Sequence, residues 1–156
     1  MPLNFRNPWI VLATWFGCGL MKPAPGTWGT LGALPFGILI LVLGGWPVLL
    51  LCAVAVTVVG VKAADVFMRE SGAHDHPAIV VDEVAGMWVT LLAAVATPLS
   101  NVLAFGLFRF FDVLKPWPVG WLDRHIKGGR GVMADDIAAG IMAALTLGGL
   151  RLAGIG

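Results

Sequence analysis

A chain of 156 residues is long enough for one domain with a real core and too short to expect two. It is 58% apolar and 12% charged, against about 45–50% and about 25% in an average soluble protein, and its mean hydropathy of +0.89 points to a membrane. A formal net charge of +1 with no basic–aromatic module argues against a nucleic-acid partner, and Cys18 and Cys52 are too few for a disulfide framework and read as reduced, packed thiols.

Arg6 followed by the apolar stretch Pro8 to Met21 has the look of a signal peptide, but Lys22-Pro23-Ala24-Pro25-Gly26 is a poor small-residue cleavage site. The segment is expected to stay as an interfacial or short buried helix. Leu31 to Leu43 reads as a first apolar helix ending at the turn signal Gly44-Gly45-Trp46-Pro47. Pro47 suits the first turn of a second helix from Val48 to about Ser71, with Gly72 as its stop. This helix is apolar to Val61 and then carries Lys62, Asp65, Arg69 and Glu70. A third helix is predicted from near Asp82 to Thr97, followed by a tight connection at Pro98-Leu99-Ser100-Asn101. A fourth runs from about Val102 to Leu114, halted by Pro116, and a fifth from Asp135 or Asp136 to about Ala153. Apolar runs without period-2 alternation favour helices over strands. The expected fold is an all-α compact bundle of about five to six helices, in one domain over residues 1–156.

Whether these helices cross a bilayer is a question of length. The 13 residues of Leu31 to Leu43, at 1.5 Å rise, give about 20 Å against the ~30 Å hydrocarbon core. Flanking residues or local thinning close that gap, whereas a soluble bundle would have to hide four such helices from water. A membrane-embedded bundle is therefore expected. Two helical hairpins would put the tight turns at one end and Lys22 to Thr30, Lys62 to Glu83 and Arg109 to Asp136 at the other. With the N-terminus at that end too, nine of the ten Lys and Arg residues share it, Arg151 being the exception. The positive-inside tendency makes that end cytoplasmic, with Trp117 and Trp121 as interfacial anchors.

The acids sit at this polar end. Leu31 to Val61 and Val84 to Phe108 carry no charge, and the carboxylates gather outside them as Asp82-Glu83, Asp112 and Asp135-Asp136. One acid at a helix N-terminus is a cap; two adjacent acids on each of two predicted helices exceed capping. Gly86 follows Asp82 by four and Gly140 follows Asp136 by four. They either let the helices approach until the acid pairs meet or are simple packing glycines. Arg109, Asp112 and Lys115 share one broad helix face, as a surface ladder or as part of a site. Five clustered carboxylates cannot all stay ionised unaided, and hard oxygen ligands without thiolate point to Mg2+. His74 and His76 read as loop histidines near the site rather than as ligands. The glycine-rich pieces 25–30 and 127–131 are candidate phosphate cradles, each weak alone. Together these features point to a Mg2+-bridged phosphate ester and, at a membrane surface, to a lipid headgroup.

Four blocks carry a resemblance to a known family: Gly26-Thr27-Trp28-Gly29-Thr30; His74-Asp75-His76 leading into 79–88 with Asp82-Glu83-Val84-Ala85-Gly86; Phe108-Arg109-Phe110-Phe111-Asp112-Val113-Leu114-Lys115-Pro116-Trp117-Pro118; and Asp135-Asp136-Ile137-Ala138-Ala139-Gly140. In order, over nearly the whole chain, they closely resemble the phosphatidylglycerophosphatase A family. The resemblance implies a Mg2+-dependent, all-helical membrane phosphatase of phospholipid biosynthesis. Such an enzyme hydrolyses phosphatidylglycerophosphate to phosphatidylglycerol and phosphate at the cytoplasmic face of a bacterial inner membrane, with its catalytic loops at the cytoplasmic end. Asp82, Glu83, Asp112 and Asp136, with Asp135, are then expected to hold one or two Mg2+ ions, and Lys115 joins the first four as a catalytic group. Arg109, Lys115 and Arg130 are expected to bind the phosphate, with Thr27 or Thr30 as hydroxyl donors. Direct attack by water and an aspartyl-phosphate both stay open, although no D-x-D-x-T-like motif favours the second. Two rivals are weaker: a membrane phosphotransferase lacks its D-G-x-x-A-R core here, and a helical carrier would place acids within its span. Oligomeric state stays open.

Overall fold

The computed structural model describes residues 3–156, so the first two residues of the expected domain lie outside the described residues. Among the described residues there are six α-helices, one 3-10 turn and no strand.

The segment from Pro8 begins with a capped helix. Asn7 Oδ1 accepts from the Trp9 amide at 3.0 Å and Pro8 presets the first helical φ, so α1 (Pro8–Ala13) forms and buries Ile10 and Ala13. A 3-10 turn, Cys18–Leu20, follows. The segment packs on the second half of the next helix: Asn7 Nδ2 donates to Glu70 Oε1 at 2.5 Å and Lys62 Nζ lies 4.3 Å from the Trp9 ring centre.

Helix α2 (Pro25–Ser71) is two arms joined at Gly45, whose φ of 73° and ψ of −178° break the helix. A Cβ on Gly29 would lie 2.5 Å from Val80 Cβ, and one on Gly60 would lie 3.3 Å from Val81 Cγ2. Unbroken helix would set those glycines about 46 Å apart, so residues 25–44 and 46–71 must fold back as the expected hairpin. Gly72 stops the second arm in the left-handed region, its amide donating to Met68 O at 3.0 Å. The first arm starts at Pro25 rather than Leu31, so the piece 25–30 is helix and not loop. Val80 packs against the bare backbone of Gly29, and this close contact outweighs the poor helix propensity of glycine.

Helix α3 (Val81–Leu91) is buried almost all round and touches both arms of α2, α4 (Pro98–Leu114) and α6 (Gly128–Leu152). Trp88 Nε1 donates to Ala33 O at 2.9 Å, and Arg151 satisfies Ala93 O beyond the far end of α3 at 2.6 Å. Helix α3 ends well before Thr97. The expected tight connection at Pro98 is instead the start of α4, where the Thr97 hydroxyl accepts from Ser100 N at 3.2 Å and Pro98 occupies the first turn. A short helix not separately foreseen, α5 (Val119–His125), precedes α6.

Helix α6 begins at Gly128, two turns before the expected start at Asp135. A Cβ on Gly129 would lie 2.2 Å from Val61 O, and one on Gly131 would lie 2.0 Å from Ile126 O, so these glycines are points of close packing inside a helix. The Asp65 carboxylate, from α2, accepts from the Gly129 amide at 2.7 Å and caps the new start.

Helices α2 and α6 are long and apolar enough to cross a membrane. The arms of α2 are about 30 and about 39 Å long, matching a ~30 Å hydrocarbon core. The most apolar stretch of α2 is only 11% buried, which is unlike the core helix of a soluble protein. Its outer side presents Leu39, Leu43, Trp46, Leu51 and Val58. The start of the first arm, the end of the second, the start of α3, the end of α4, α5 and the first turns of α6 come together at one end of the bundle, through the Glu83, Arg109, Lys115 and Asp65 contacts.

Candidate active site

The site is assembled where α3 and α6 cross. A Cβ on Gly86 would lie 2.6 Å from Asp136 O, and one on Gly140 would lie 2.4 Å from Gly86 O, so the two backbones touch. Asp82 stands four residues before Gly86 and Asp136 four before Gly140, and the crossing brings them together. One carboxylate oxygen from each of Asp82, Glu83 and Asp136 lies within 4.8 Å of the other two. Asp135 and Asp136 stand inside α6 and not at its N-terminus, which removes capping as their role.

These carboxylates are electrostatically frustrated. Burial raises the Asp82 carboxyl well above its ordinary range, and Glu83 and Asp136 push it further. Burial also raises Glu83, with Asp112 adding to the effect, while the hydrogen bond with Asp82 and the Arg109 guanidinium pull the other way. Three buried oxygens, Glu83 Oε2, Asp135 Oδ1 and Asp136 Oδ2, have no hydrogen-bond partner among the described residues. Buried anionic oxygens without partners are costly. A hard divalent cation satisfies such a set, and the donors gathered here are oxygens without thiolate.

Two basic side chains are held beside the acids. Arg109 pairs with Asp112 one turn along α4 and lies 3.9 Å from Glu83 Oε1. Gly26 leaves room for this pair, since a Cβ there would lie 2.5 Å from Glu83 Oε1. The first turn of α2, with its free amides, therefore abuts the Glu83 carboxylate. Lys115 ends α4 with a left-handed backbone (φ 47°, ψ 55°) and donates to Asp123 at 2.8 Å and Asp135 at 3.0 Å. Burial pulls the Lys115 ammonium down, but its bonds to the two carboxylates outweigh this and hold it above its ordinary value.

A cavity of about 760 Å³ collects these groups. Of the residues expected from sequence, Asp82, Glu83, Arg109, Asp112, Lys115, Asp135 and Asp136 all line it, with His74 and His76 on its wall. Thr27, Thr30 and Arg130 do not line it. Thr30 is buried and its hydroxyl donates back to Gly26 O at 2.8 Å, the habit of a hydroxyl inside a helix. Arg130 is exposed on α6. Their places at the cavity are taken by Gly26 and Lys127. Asp123 was not foreseen, because its role depends on α5 folding back onto Lys115. Asp65 was not foreseen as the cap of a helix 64 residues away; no local signal marks either one.

A family model described as phosphatidylglycerophosphatase A matches residues 11–151. The chain is 43% identical over 143 residues to phosphatidylglycerophosphatase A of Escherichia coli (strain K12), covering 91% of this chain and 83% of the relative. It is 38% identical over 146 residues to phosphatidylglycerophosphatase A of Haemophilus influenzae, covering 93% and 90%. It is also 36% identical over 142 residues, covering 85% and 86%, to a Bacteroides thetaiotaomicron protein provisionally named phosphatidylinositol-3-phosphatase. No solved structure matches the chain.

Proposed function

This chain belongs to the phosphatidylglycerophosphatase A family, and on that premise we propose that it hydrolyses phosphatidylglycerophosphate to phosphatidylglycerol and phosphate, with Mg2+ as cofactor. The reaction cleaves a phosphate monoester from a phospholipid, so the protein is a phosphatase of phospholipid biosynthesis. The observation that carries the site assignment is the Asp82, Glu83 and Asp136 trio with its partnerless oxygens, set beside Arg109 in one cavity.

Asp82, Glu83 and Asp136 would hold the metal, with Asp135 and Asp112 adjoining. The chemistry that Mg2+ supplies when bound is neutralisation of the phosphomonoester charge and activation of a water. Arg109 offers guanidinium N–H groups to the phosphate oxygens, kept in place by Asp112 and Glu83. Lys115 offsets part of the charge of Asp135 and Asp123, which lessens the repulsion that the entering phosphate meets. The apolar walls from buried Ile79 and half-buried Val132 limit water around the reacting group. The bundle is read as a single domain in a bacterial inner membrane, with this polar end towards the cytoplasm.

The test is phosphate release by the purified chain from phosphatidylglycerophosphate in mixed micelles, with Mg2+ and with EDTA. Mg2+-dependent release supports the reading; release unaffected by EDTA removes the metal from it. Phosphatidylinositol 3-phosphate is the competing substrate, suggested by the Bacteroides relative. A higher kcat/KM on that lipid would reassign the substrate.

A further inference from the structure

We propose that Lys127 determines substrate specificity, by holding the phosphodiester that joins a phosphorylated polyol to the lipid. The proposal rests on the lipid-phosphatase reading above and adds to it the feature of the substrate that is recognised.

Three Lys or Arg side chains line the cavity, and two are already engaged. Arg109 is bound by Asp112 and lies near Glu83, and Lys115 lies between Asp123 and Asp135. Lys127 is exposed and makes no ion pair or side-chain hydrogen bond among the described residues. Among the described Lys and Arg residues at the cavity, it is the one free to meet a second anionic group. Asp75, also at the cavity, has the wrong sign for that task.

Lys127 is joined to the acids by a continuous wall. Gly128, Gly131, Val132 and Asp135 all line the cavity, and their spacing of i, i+3, i+4 and i+7 makes one face of α6. Gly131 is packed against the Ile126 carbonyl, so Val132 and Asp135 are the side chains that this face presents between Lys127 and the acids. Gly128 and Asp136 are about 12 Å apart along the helix axis, with Lys127 just before the helix, a length that a polyol spacer and an extended lysine side chain together cover. A headgroup with its monoester at the carboxylates therefore lays its diester beside Lys127.

The chemistry of the candidate lipids fits. Phosphatidylglycerophosphate and phosphatidylinositol 3-phosphate each carry a monoester on a polyol that a phosphodiester attaches to diacylglycerol. Phosphatidic acid carries a monoester and no diester. A cation beyond the reacting phosphate separates these two classes without reading the polyol itself.

The test is calorimetric binding of two soluble compounds to the full-length protein with Mg2+ present. One is the deacylated headgroup glycerophosphoglycerophosphate, with both phosphates; the other is glycerol 3-phosphate, with the monoester alone. The wild type is expected to prefer the first by about tenfold to a hundredfold, the scale of a hydrogen bond between charged groups. Lys127→Ala brings the ratio of Kd values close to one, and Lys127→Arg keeps most of the preference. Equal Kd values in the wild type, or an undiminished preference in Lys127→Ala, overturns the proposal. Failure of the wild type to hydrolyse phosphatidylglycerophosphate is a separate result and refutes the substrate reading instead.

Discussion

Gly86 on α3 and Gly140 on α6 meet backbone to backbone, with a Cβ on Gly140 placed only 2.4 Å from Gly86 O. The Thr90 hydroxyl ties the crossing, donating to Gly86 O at 2.9 Å with Gly140 O at 3.4 Å. Four residues before each glycine stands an acid of the candidate site. The crossing distance is thus also the spacing of the carboxylates.

Gly86→Ala and Gly140→Ala should each force the two helices apart. Overpacking of this kind costs about 1–3 kcal/mol, so both variants should melt at lower temperature and lose more than tenfold in phosphate release. Gly106 on α4 has open space around it, and Gly106→Ala should keep activity and gain slightly in stability. Melting in detergent and a phosphate assay check all three; a Gly86→Ala protein as active as wild type would disconnect the crossing from the site.

Asp82→Asn and Asp136→Asn should each abolish Mg2+-dependent turnover while leaving the far-ultraviolet circular dichroism unchanged. Each change removes a charged oxygen donor from the trio but keeps the side-chain volume. Near-normal activity in both variants would sink the site assignment.

The raised carboxyls of Asp82 and Glu83 make the stability of the metal-free protein depend on pH. A carboxyl raised in the folded state binds its proton more tightly there than in the unfolded chain, so stability falls as pH climbs. The fall should begin near the ordinary carboxylate value of about 4 and continue through the raised values. Mg2+ binds the deprotonated form, so its stabilisation should grow over the same window. Melting midpoints across pH, with EDTA and with Mg2+, should diverge upward from pH 4; parallel curves would contradict this.

Asp65→Ala should remove the cap on α6 and cost about 1 kcal/mol, with Asp65→Asn costing less. Because α6 carries Asp135 and Asp136, the Mg2+ concentration for half-maximal activity should rise in Asp65→Ala. A lower melting midpoint without any change in that concentration would mean that the cap supports the helix but not the site.

Turn chemistry made the hairpin legible. Gly44-Gly45-Trp46-Pro47 and Gly72 act through their own φ angles and need no distant partner, and both stand where the sequence puts them. The start of α6 was not legible, because glycines at 128, 129 and 131 favour loops locally, and Gly129 and Gly131 are helical here through close contacts with Val61 and Ile126. Thr30 and Arg130 were misplaced for the same reason: once their segments are helix, Thr30 is turned inward and Arg130 outward.

The sequence by itself determined the segregation of charge: long uncharged runs, five site acids between them, and Arg109 and Lys115 on the same helix as Asp112. Residue types and their spacing along a helix are local properties, so they can be read without a fold. Only the tertiary structure decided that Asp82 and Glu83 face Asp136, that Lys115 serves Asp123 as well as Asp135, and that Lys127 borders the cavity in place of Arg130. Those relations depend on how closely two helices cross and where a helix begins, and both are set by packing between residues far apart in the chain.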